Sequence, residues 1–383
     1  MKSQLRIFHG PYNVAGIGGH LAEAERERGC VSKFIVYKAN KLIHNHDENI
    51  DFTNNHLFKR FIYVPFYFFW KCVFNFDLFH FYFGKSLLMF NLDLPILRLF
   101  GKKIIMTYCG SEVRLVGKVE SKRNPYVKHI QFSTSSTTKK IWSSNFFLIQ
   151  WIKWIFLFQY DIPKYDTRKQ MMMWWQNLFI HKFFAYRDLY ASALTVIPKE
   201  KVIKDVFINN IGIASSEKLK FEEPKQNEKV VIVHAPTNQL VKGTKFVENT
   251  LDKLKSKGVD FEYVQIYRMP HEEVMDILKN KADIVIDQML LGSFASLSIE
   301  AMSFGKPVVC YLMEEIEADF NGDLAIYNCN IDNLYKKLKE LIIDRQLRLE
   351  LGKKGISFIQ KYYNKNEIVD NTIQLYQSLA SVK

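Results

Sequence analysis

The chain has 383 residues, with 53 Lys and Arg against 40 Asp and Glu and a formal net charge of +13. With 48% hydrophobic and 15% aromatic residues it is too apolar for a disordered chain, and its five cysteines are too sparse for a disulfide-stapled mini-protein. At roughly 100–200 residues per domain, two domains are expected.

Charge and aromatics are split along the chain. Residues 1–200 hold 28 Lys and Arg and 14 Asp and Glu, whereas residues 201–383 hold 25 and 26. Of the 56 Phe, Tyr and Trp, 40 lie in the first 200 residues, and so do all six Trp. A basic, aromatic half fits a nucleic-acid face or an anionic membrane face. An A/T-rich codon bias enriches the same residues, but it acts on both halves alike. No RRM, KH or zinc-finger pattern is present, so no nucleic-acid partner is expected. The cysteines (Cys30, Cys72, Cys109, Cys310 and Cys329) are odd in number and have neither a C-x-x-C pair nor metal-ligand spacing, which fits a reducing cytosol. The first ten residues lack the long apolar stretch of a signal peptide.

The first predicted element is a short buried strand from Gln4 to His9. The turn Gly10-Pro11-Tyr12-Asn13-Val14-Ala15-Gly16-Ile17-Gly18-Gly19 follows, then a helix from His20 to Gly29 and a strand from Val31 to Tyr37. Strand, glycine-rich turn, helix and strand open a βαβ unit. Asp77–Phe83 and Lys103–Cys109 are further strands, closed by Gly84 and Gly110. Residues 61–76 and 141–160 are apolar enough to be tested as membrane spans. Pro65 and Lys71 interrupt the first. Ser143, Ser144, Asn145, Gln150, Lys153 and Gln159 scatter around the second, so neither is expected to cross a bilayer. Trp151, Trp154 and Phe158 share one helical side, which fits docking at a membrane interface and equally a helix buried between domains. Residues 141–190 are predicted helical, and Leu194–Ile197 a short strand.

Residues 212–229 are polar and charged and read as a linker. Beyond them, strands Lys229–His234, Phe261–Ile266, Ile284–Asp287 and Pro307–Leu312 alternate with helices Lys245–Lys257, His271–Lys279 and Ser296–Phe304. Helices are predicted over 332–350 and 364–381. The fold class is therefore α/β: an N-terminal domain over 1–211, a linker over 212–229, and a C-terminal domain with a parallel sheet over 230–363. Ligands of such units sit at the carboxyl ends of strands.

Three segments carry candidate chemistry. Gly16-Ile17-Gly18-Gly19 lies between a strand and a helix, where a backbone can approach a ligand; the spacing is not G-x-G-x-x-G, and a plain tight turn fits as well. His234-Ala235-Pro236-Thr237-Asn238-Gln239-Leu240-Val241-Lys242-Gly243-Thr244 also joins a strand to a helix. An ammonium at Lys242 suits a diphosphate leaving group, although a lysine ahead of a helix is also a common surface feature. The third runs from Ala282 to Val309. Its strand ends at Asp287-Gln288, its loop is Gly292-Ser293-Phe294-Ala295, and its helix carries Glu300 one turn in. Amides at 295–297 suit phosphate, and a carboxylate at 300 suits a sugar or ribose diol. Ile299, Ala301 and Met302 around Glu300 suggest partial burial rather than a solvated face, and a buried carboxylate needs a partner.

The run from Ala282 to Val309 resembles the signature of retaining glycosyltransferases of the GT-B fold, family 4, the glycosyl transferases group 1 type. Lys242-Gly243-Thr244 falls where those enzymes have their phosphate-contacting lysine. The early glycine loop and Gly110-Ser111-Glu112-Val113-Arg114 also look like that group. The resemblance implies two Rossmann-like domains facing across a cleft, with the last helix, 364–383, packed back on the N-terminal domain. It implies catalytic roles for Lys242 and Glu300, and donor contacts from Thr237, Asn238, Gln239, Gly292, Ser293, Ala295, Ser296 and Leu297. Acceptor contacts fall to Gly18, Gly19, Cys109, Gly110, Ser111 and Glu112.

Three positions depart from the family pattern. Gly292 replaces the first of two glutamates that have seven residues between them, of which Glu300 is the second. Thr237, Asn238 and Gln239 fill the stretch where an arginine is usual, and Cys109 stands where histidine is common. A subgroup with an Asp-Gln-x-x-x-Gly pattern also lacks the first glutamate. The expected function is retaining transfer of a hexosyl group from a nucleoside diphosphate sugar to a carbohydrate or polyprenyl-diphosphate-linked acceptor in surface polysaccharide synthesis. No Asp-x-Asp is present, so neither metal nor cofactor is expected, and the nucleotide sugar is a co-substrate. The basic half then implies an anionic membrane surface as partner, and a cytoplasmic protein peripheral on the inner face of the cell membrane. The alternatives are a degenerate GT-B domain that binds a partner or lipid-linked glycan without catalysis, and a GT-B nucleotide-sugar epimerase, against which the missing groups at 292 and 109 argue.

Overall fold

The computed structural model describes residues 4–38, 45–50, 62–130, 165–204, 219–223, 229–267 and 269–381. The chain divides into two units, one from residues 1–119, 154–212 and 365–383, the other from 120–153 and 213–364.

Near-continuous apolar runs such as Leu78-Phe79-His80-Phe81-Tyr82 are what strands of a parallel sheet covered on both faces require. The first unit has seven strands, of which the outermost are short and partly exposed: β1 (Arg6–Gly10), β2 (Val31–Val36), β3 (Glu48–Asn49), β4 (Leu78–Tyr82), β5 (Lys103–Tyr108), β6 (Lys182–Ala185) and β7 (Val202–Lys204), in the order β3-β2-β1-β4-β5-β6-β7. All pairings are parallel. Its principal helices are α1 (Ile17–Glu27), α2 (Val64–Tyr67, continuing as a π-helix over Phe68–Val73), α3 (Asp93–Leu99), α4 (Asp166–Phe179) and α5 (Arg187–Ala193). Phe8, Phe76, Phe79 and Phe81 pack ring to ring within its core. Each such buried ring contributes about 1.5–3 kcal/mol.

The second unit has β8 (Val231–His234), β9 (Glu262–Gln265), β10 (Ile284–Ile286), β11 (Val308–Cys310) and β12 (Ile326–Asn328), also all parallel, in the order β12-β11-β10-β8-β9. Its helices are α6 (Gln239–Lys242), α7 (Thr244–Ser256), α8 (His271–Asn280), α9 (Ser296–Ser303), α10 (Glu314–Ala318), α11 (Leu334–Ile343) and α12 (Arg345–Tyr362). On α7 the buried Val247, Leu251 and Leu254 recur at the helical period and join Ile232, Ile284 and Ile286 in one core.

The last helix, α13 (Lys365–Ser381), belongs to the first unit. Its Tyr376 hydroxyl meets His80 Nδ1 at 2.6 Å, and His80 Nε2 meets Thr107 Oγ1 at 2.6 Å. Beside them His9 bridges Glu25 at 2.8 Å and the Tyr82 hydroxyl at 2.7 Å. All six side chains are buried, and burial lowers the His80 pKa well below its usual value.

Several expectations change. Residues 120–130 lie in the second unit, not in a domain running unbroken over 1–211. Asn124 Nδ2 donates to Leu290 O at 2.8 Å, the Tyr126 hydroxyl to Asp332 at 2.6 Å, and Arg123 pairs with Glu315 at 3.0 Å. Leu194–Ile197 is a turn, because the amides of Leu194 and Ile197 return to Tyr190 and Ala193. The strand there is β6, inside a stretch predicted helical; a short apolar run does not reveal its period. The 332–350 helix breaks at Asp344, whose carboxylate caps α12 by accepting from Leu347 N at 2.9 Å. Within the predicted linker, Phe221 packs against Gly305 and Gly352, and Glu223 pairs with Arg345 at 2.6 Å. Residues 141–160, with Trp151, Trp154 and Phe158, lie outside the described residues, as do 212–218 and 224–228. Among the described residues no helix is long and apolar enough to cross a membrane.

Candidate functional site

In the second sheet β8 lies between β9 and β10, so strand order reverses there. The crevice at the carboxyl ends of strands beside such a reversal is where ligands of open α/β sheets bind. The loop after β8 holds Thr237 and Asn238, and Gln239 opens α6; all three are exposed. Asn238 caps α6, its side-chain oxygen accepting from Leu240 N at 3.1 Å and Val241 N at 3.3 Å. Lys242 ends α6, and Gly243, at φ +79°, turns the chain directly into α7. The Lys242 carbonyl accepts from Met289 N at 3.0 Å, which ties the two loops together.

Asp287, the first residue past β10, organises this crevice. Its side chain is fully buried, and Oδ1 meets Lys242 Nζ at 2.8 Å. Oδ2 accepts from Ala295 N at 2.8 Å and from Ser298 Oγ at 2.7 Å. Burial alone would raise the Asp287 pKa, but the charge and hydrogen bond of Lys242, with Ser298 and the Ala295 amide, outweigh it and hold the carboxyl below its usual value. One carboxylate thus fixes the ammonium and the entry of α9. The Ala295 amide, expected to cradle phosphate, is committed to Asp287. In the sequence Asp287 is marked only as a carboxylate directly after the apolar run Ile284–Ile286, which does not reveal this role. His234 anchors the floor below, with Nδ1 on Ile286 O at 2.8 Å and Nε2 on Thr244 Oγ1 at 2.9 Å.

Ser296 and Leu297 form the first turn of α9 behind Ala295. Glu300 is buried on that helix, and its Oε1 meets Nε2 of the half-exposed His271 at 2.8 Å. The hydrogen bond to Glu300 raises the His271 pKa against a smaller opposing effect of burial. Nothing in the sequence around His271 pointed to this pairing. Gly292 has φ +74°, and a Cβ there would lie 2.6 Å from Met313 Cγ. The Gly292 carbonyl accepts from Met313 N at 2.9 Å, and Ser293 O accepts from the Gln288 side chain. A cavity of about 540 Å³ opens at the ends of β11 and β12, lined in part by Tyr126, Tyr311, Met313, Asn330 and Asn333. The Tyr126 and Tyr311 rings meet edge-on at 4.8 Å.

In the first unit strand order reverses at β1. Gly18 and Gly19 sit in the first turn of α1, where a Cβ on Gly18 would lie 2.6 Å from Phe34 and 3.1 Å from Tyr82. Cys109, Gly110, Ser111 and Glu112 follow β5. Glu112 is buried and accepts from the Cys109 amide, so it closes its own loop. Gly84, after β4, lies against Glu112: a Cβ there would come within 3.3 Å of it. Among the described residues no group of three His, Cys, Asp or Glu is placed to hold a metal ion.

Residues 240–358 match the family described as Glycosyl transferases group 1. Comparison with curated proteins gives no match. Among solved structures, a sucrose-phosphate synthase from Thermosynechococcus elongatus is similar at a TM-score of 0.63 and 12% identity, over 99% of this chain and 100% of that one. HepE from Anabaena, in complex with UDP-glucose, is similar at 0.59 and 12%, over 97% and 99%. WaaG, a glycosyltransferase involved in lipopolysaccharide biosynthesis, is similar at 0.56 and 9%, over 96% and 99%. With two Rossmann-like units and a fold shared over its whole length with these structures, the chain has the GT-B fold, and its residues 240–358, which carry most of the crevice just described, are similar to the glycosyl transferases group 1 family.

Proposed function

We propose that the protein transfers a hexosyl group from a nucleoside diphosphate sugar to a carbohydrate or polyprenyl-diphosphate-linked acceptor, with retention and without a metal ion or cofactor, in surface polysaccharide synthesis. The observation that carries this reading is the Lys242–Asp287 pair at the strand-order reversal of the second sheet, beside the N-terminus of α9. It presents a fixed cation and a helix N-terminus together, which suits a diphosphate whose charge grows as it leaves. HepE was crystallised with UDP-glucose and WaaG takes part in lipopolysaccharide biosynthesis, which supports a nucleotide-sugar donor and a glycan acceptor here. A glycan built on a lipid carrier puts the protein in the cytoplasm, peripheral on the inner face of the cell membrane.

In the proposed step the bond from the anomeric carbon to the diphosphate oxygen breaks, and its electron pair leaves with the diphosphate. The acceptor oxygen bonds to the same face of that carbon, and its proton passes to the departing phosphate. Lys242 holds the diphosphate, Thr237, Asn238 and Gln239 border it, and Ser293, Ser296 and Leu297 contribute backbone groups, while Ala295, its amide held by Asp287, shapes the loop. Glu300 holds hydroxyl groups of the donor once His271 yields. Gly18, Gly19, Cys109, Gly110, Ser111 and Glu112 serve the acceptor. Because Met313 fills the space beside Gly292, contacts other than a carboxylate at 292 select the sugar.

The test is release of nucleoside diphosphate from a donor panel in the presence of crude lipid-linked and soluble glycan acceptors. Turnover that disappears in Lys242→Ala supports the reading. A second reading, a GT-B module that binds without catalysis, draws on the Ala295 amide being occupied and on Gly292 lacking a carboxylate. Folded protein that gains thermal stability with a donor yet never releases diphosphate favours that module.

A further inference from the structure

The stretch 62–74, which contains α2 and its π-helical continuation, has two unlike faces. Val64, Tyr67, Phe68, Cys72 and Val73 are buried and join the core of the first unit. Ile62, Tyr63, Phe66, Phe69, Trp70 and Phe74 stand exposed on the other side, with Phe66 at 62% and Trp70 at 69%. Their rings associate with one another: Phe66 and Trp70 stack at 6.0 Å, and Phe74 meets Phe100 edge-on at 5.8 Å. Phe100 and Leu99, the latter 85% exposed, extend the patch onto the end of α3.

A monomeric protein rarely leaves a continuous patch of this kind facing water. Its chemistry is specific. Tyr and Trp are the side chains that favour the headgroup level of a bilayer, and Phe and Ile the layer just beneath it. Cations surround it: Lys71 on the helix itself, and Arg98, Lys102 and Lys103 beside Leu99 and Phe100. Lys102 Nζ donates to Phe76 O at 2.7 Å, which holds it against the end of the helix. From Ile62 to Phe76 and from Leu94 to Lys103 the chain contains no Asp or Glu. Asp77, directly after Phe76, pairs with Arg6 at 2.7 Å and also faces Lys102, but against this one carboxylate the rim sets Arg6, Lys71, Arg98, Lys102 and Lys103, so it stays net positive, as an anionic surface requires.

We infer that this aromatic face is the membrane anchor of the protein and inserts its rings into an anionic bilayer. The inference deepens the peripheral-membrane part of the proposed function and assigns it to a surface. Apolar burial of the rings supplies the binding, and the net positive rim favours anionic over zwitterionic lipid.

The experiment is flotation of the full chain with vesicles of phosphatidylcholine alone or with phosphatidylglycerol added, at low and high salt. The wild type is expected to float with the anionic vesicles, less so at high salt. Phe66→Ser/Trp70→Ser, which alters exposed side chains only, is expected to bind at least about tenfold more weakly, because two aromatic insertions are lost. Lys71→Glu, a change of charge alone, is expected to weaken binding to anionic vesicles and leave binding to zwitterionic ones as it was. Wild type that stays off every vesicle, or a double variant that floats like wild type, overturns the inference. So does a dimer that forms through this face, dissociates in the double variant and never binds lipid. Lys242→Ala, which reports on transfer, is expected to float normally, so the docking and transferase readings fail separately.

Discussion

With Oδ1 of Asp287 on the Lys242 ammonium and Oδ2 on Ala295 N and Ser298 Oγ, removing the lysine alone strands a buried carboxylate. Breaking such a pair costs about 3–5 kcal/mol. Lys242→Ala should therefore lose stability in urea as well as turnover, the latter by at least about tenfold, or about 1.4 kcal/mol of barrier. Adding Asp287→Asn removes the stranded charge. The pair of changes should recover most of the stability and none of the turnover, and a double variant that regains transfer would make the role of the lysine structural. His271 carries a second test. Its pKa is raised above 6.5 by the hydrogen bond to Glu300. The pair thus contributes its full stability below pH 6.5 and loses it as pH rises through the higher folded value. An NMR titration should place the His271 midpoint above that of an ordinary histidine, and Glu300→Gln should bring it down. An unmoved midpoint would show that Glu300 is not its partner. At Gly292 the positive φ and the nearness of Met313 act together, so Gly292→Glu should cost about 1–3 kcal/mol by urea denaturation rather than restore a donor contact. Met313→Ala should relieve only the steric share.

The βα alternation of the second unit was readable because β8, β10 and β11 are short apolar runs closed by turns and helices such as α7 keep their apolar residues at one period, whereas β12, Ile326-Tyr327-Asn328, is too short and polar to be read and was not predicted. The glycine turn after β1 was readable as a turn, but not for its reason. Gly18 is needed because α1 lies against Phe34 and Tyr82 with no room for a methyl group, and a sequence cannot show that approach. Gly18→Ala should cost about 1–3 kcal/mol from overpacking, with an unfolding midpoint shifted to lower urea at an unchanged slope. β6 was missed because Lys182-Phe183-Phe184-Ala185 is too short to display a period, and its strand character comes from pairing with β5. The stretch over 219–223 looked like linker by its charge, yet one ring, Phe221 against Gly305 and Gly352, seats it. On the candidate site, the lysine, Glu300 and the small-residue loop were legible as motif. Asp287 was not, because its importance lies in three partners at sequence distances of 45, 8 and 11 residues.

Across the whole molecule the first unit is assembled from segments far apart in the chain. Its buried polar cluster closes only when α13 supplies Tyr376 to His80. Tyr376→Phe removes that hydroxyl and leaves a buried imidazole nitrogen unsatisfied, so it should cost about 1–3 kcal/mol. Hydrogen exchange should then accelerate in α13 and around β4, and a loss of protection confined to the second unit would contradict the linkage. Residues 120–130 show why domain edges were the least legible feature. Nothing in their composition marks them off, and their allegiance rests on Asn124, Tyr126 and Arg123 reaching Leu290, Asp332 and Glu315. The placement of α13 also bears on the order of synthesis. A ribosome makes His9, Glu25, His80 and Tyr82 long before Tyr376, so the nascent first sheet waits with charged and aromatic groups uncovered while the second unit is translated. The strands of the second unit, β8 to β12, come from one continuous stretch and emerge in that interval. A chain cut before residue 365 would keep every strand of both sheets and lack the one helix that closes the polar cluster of the first.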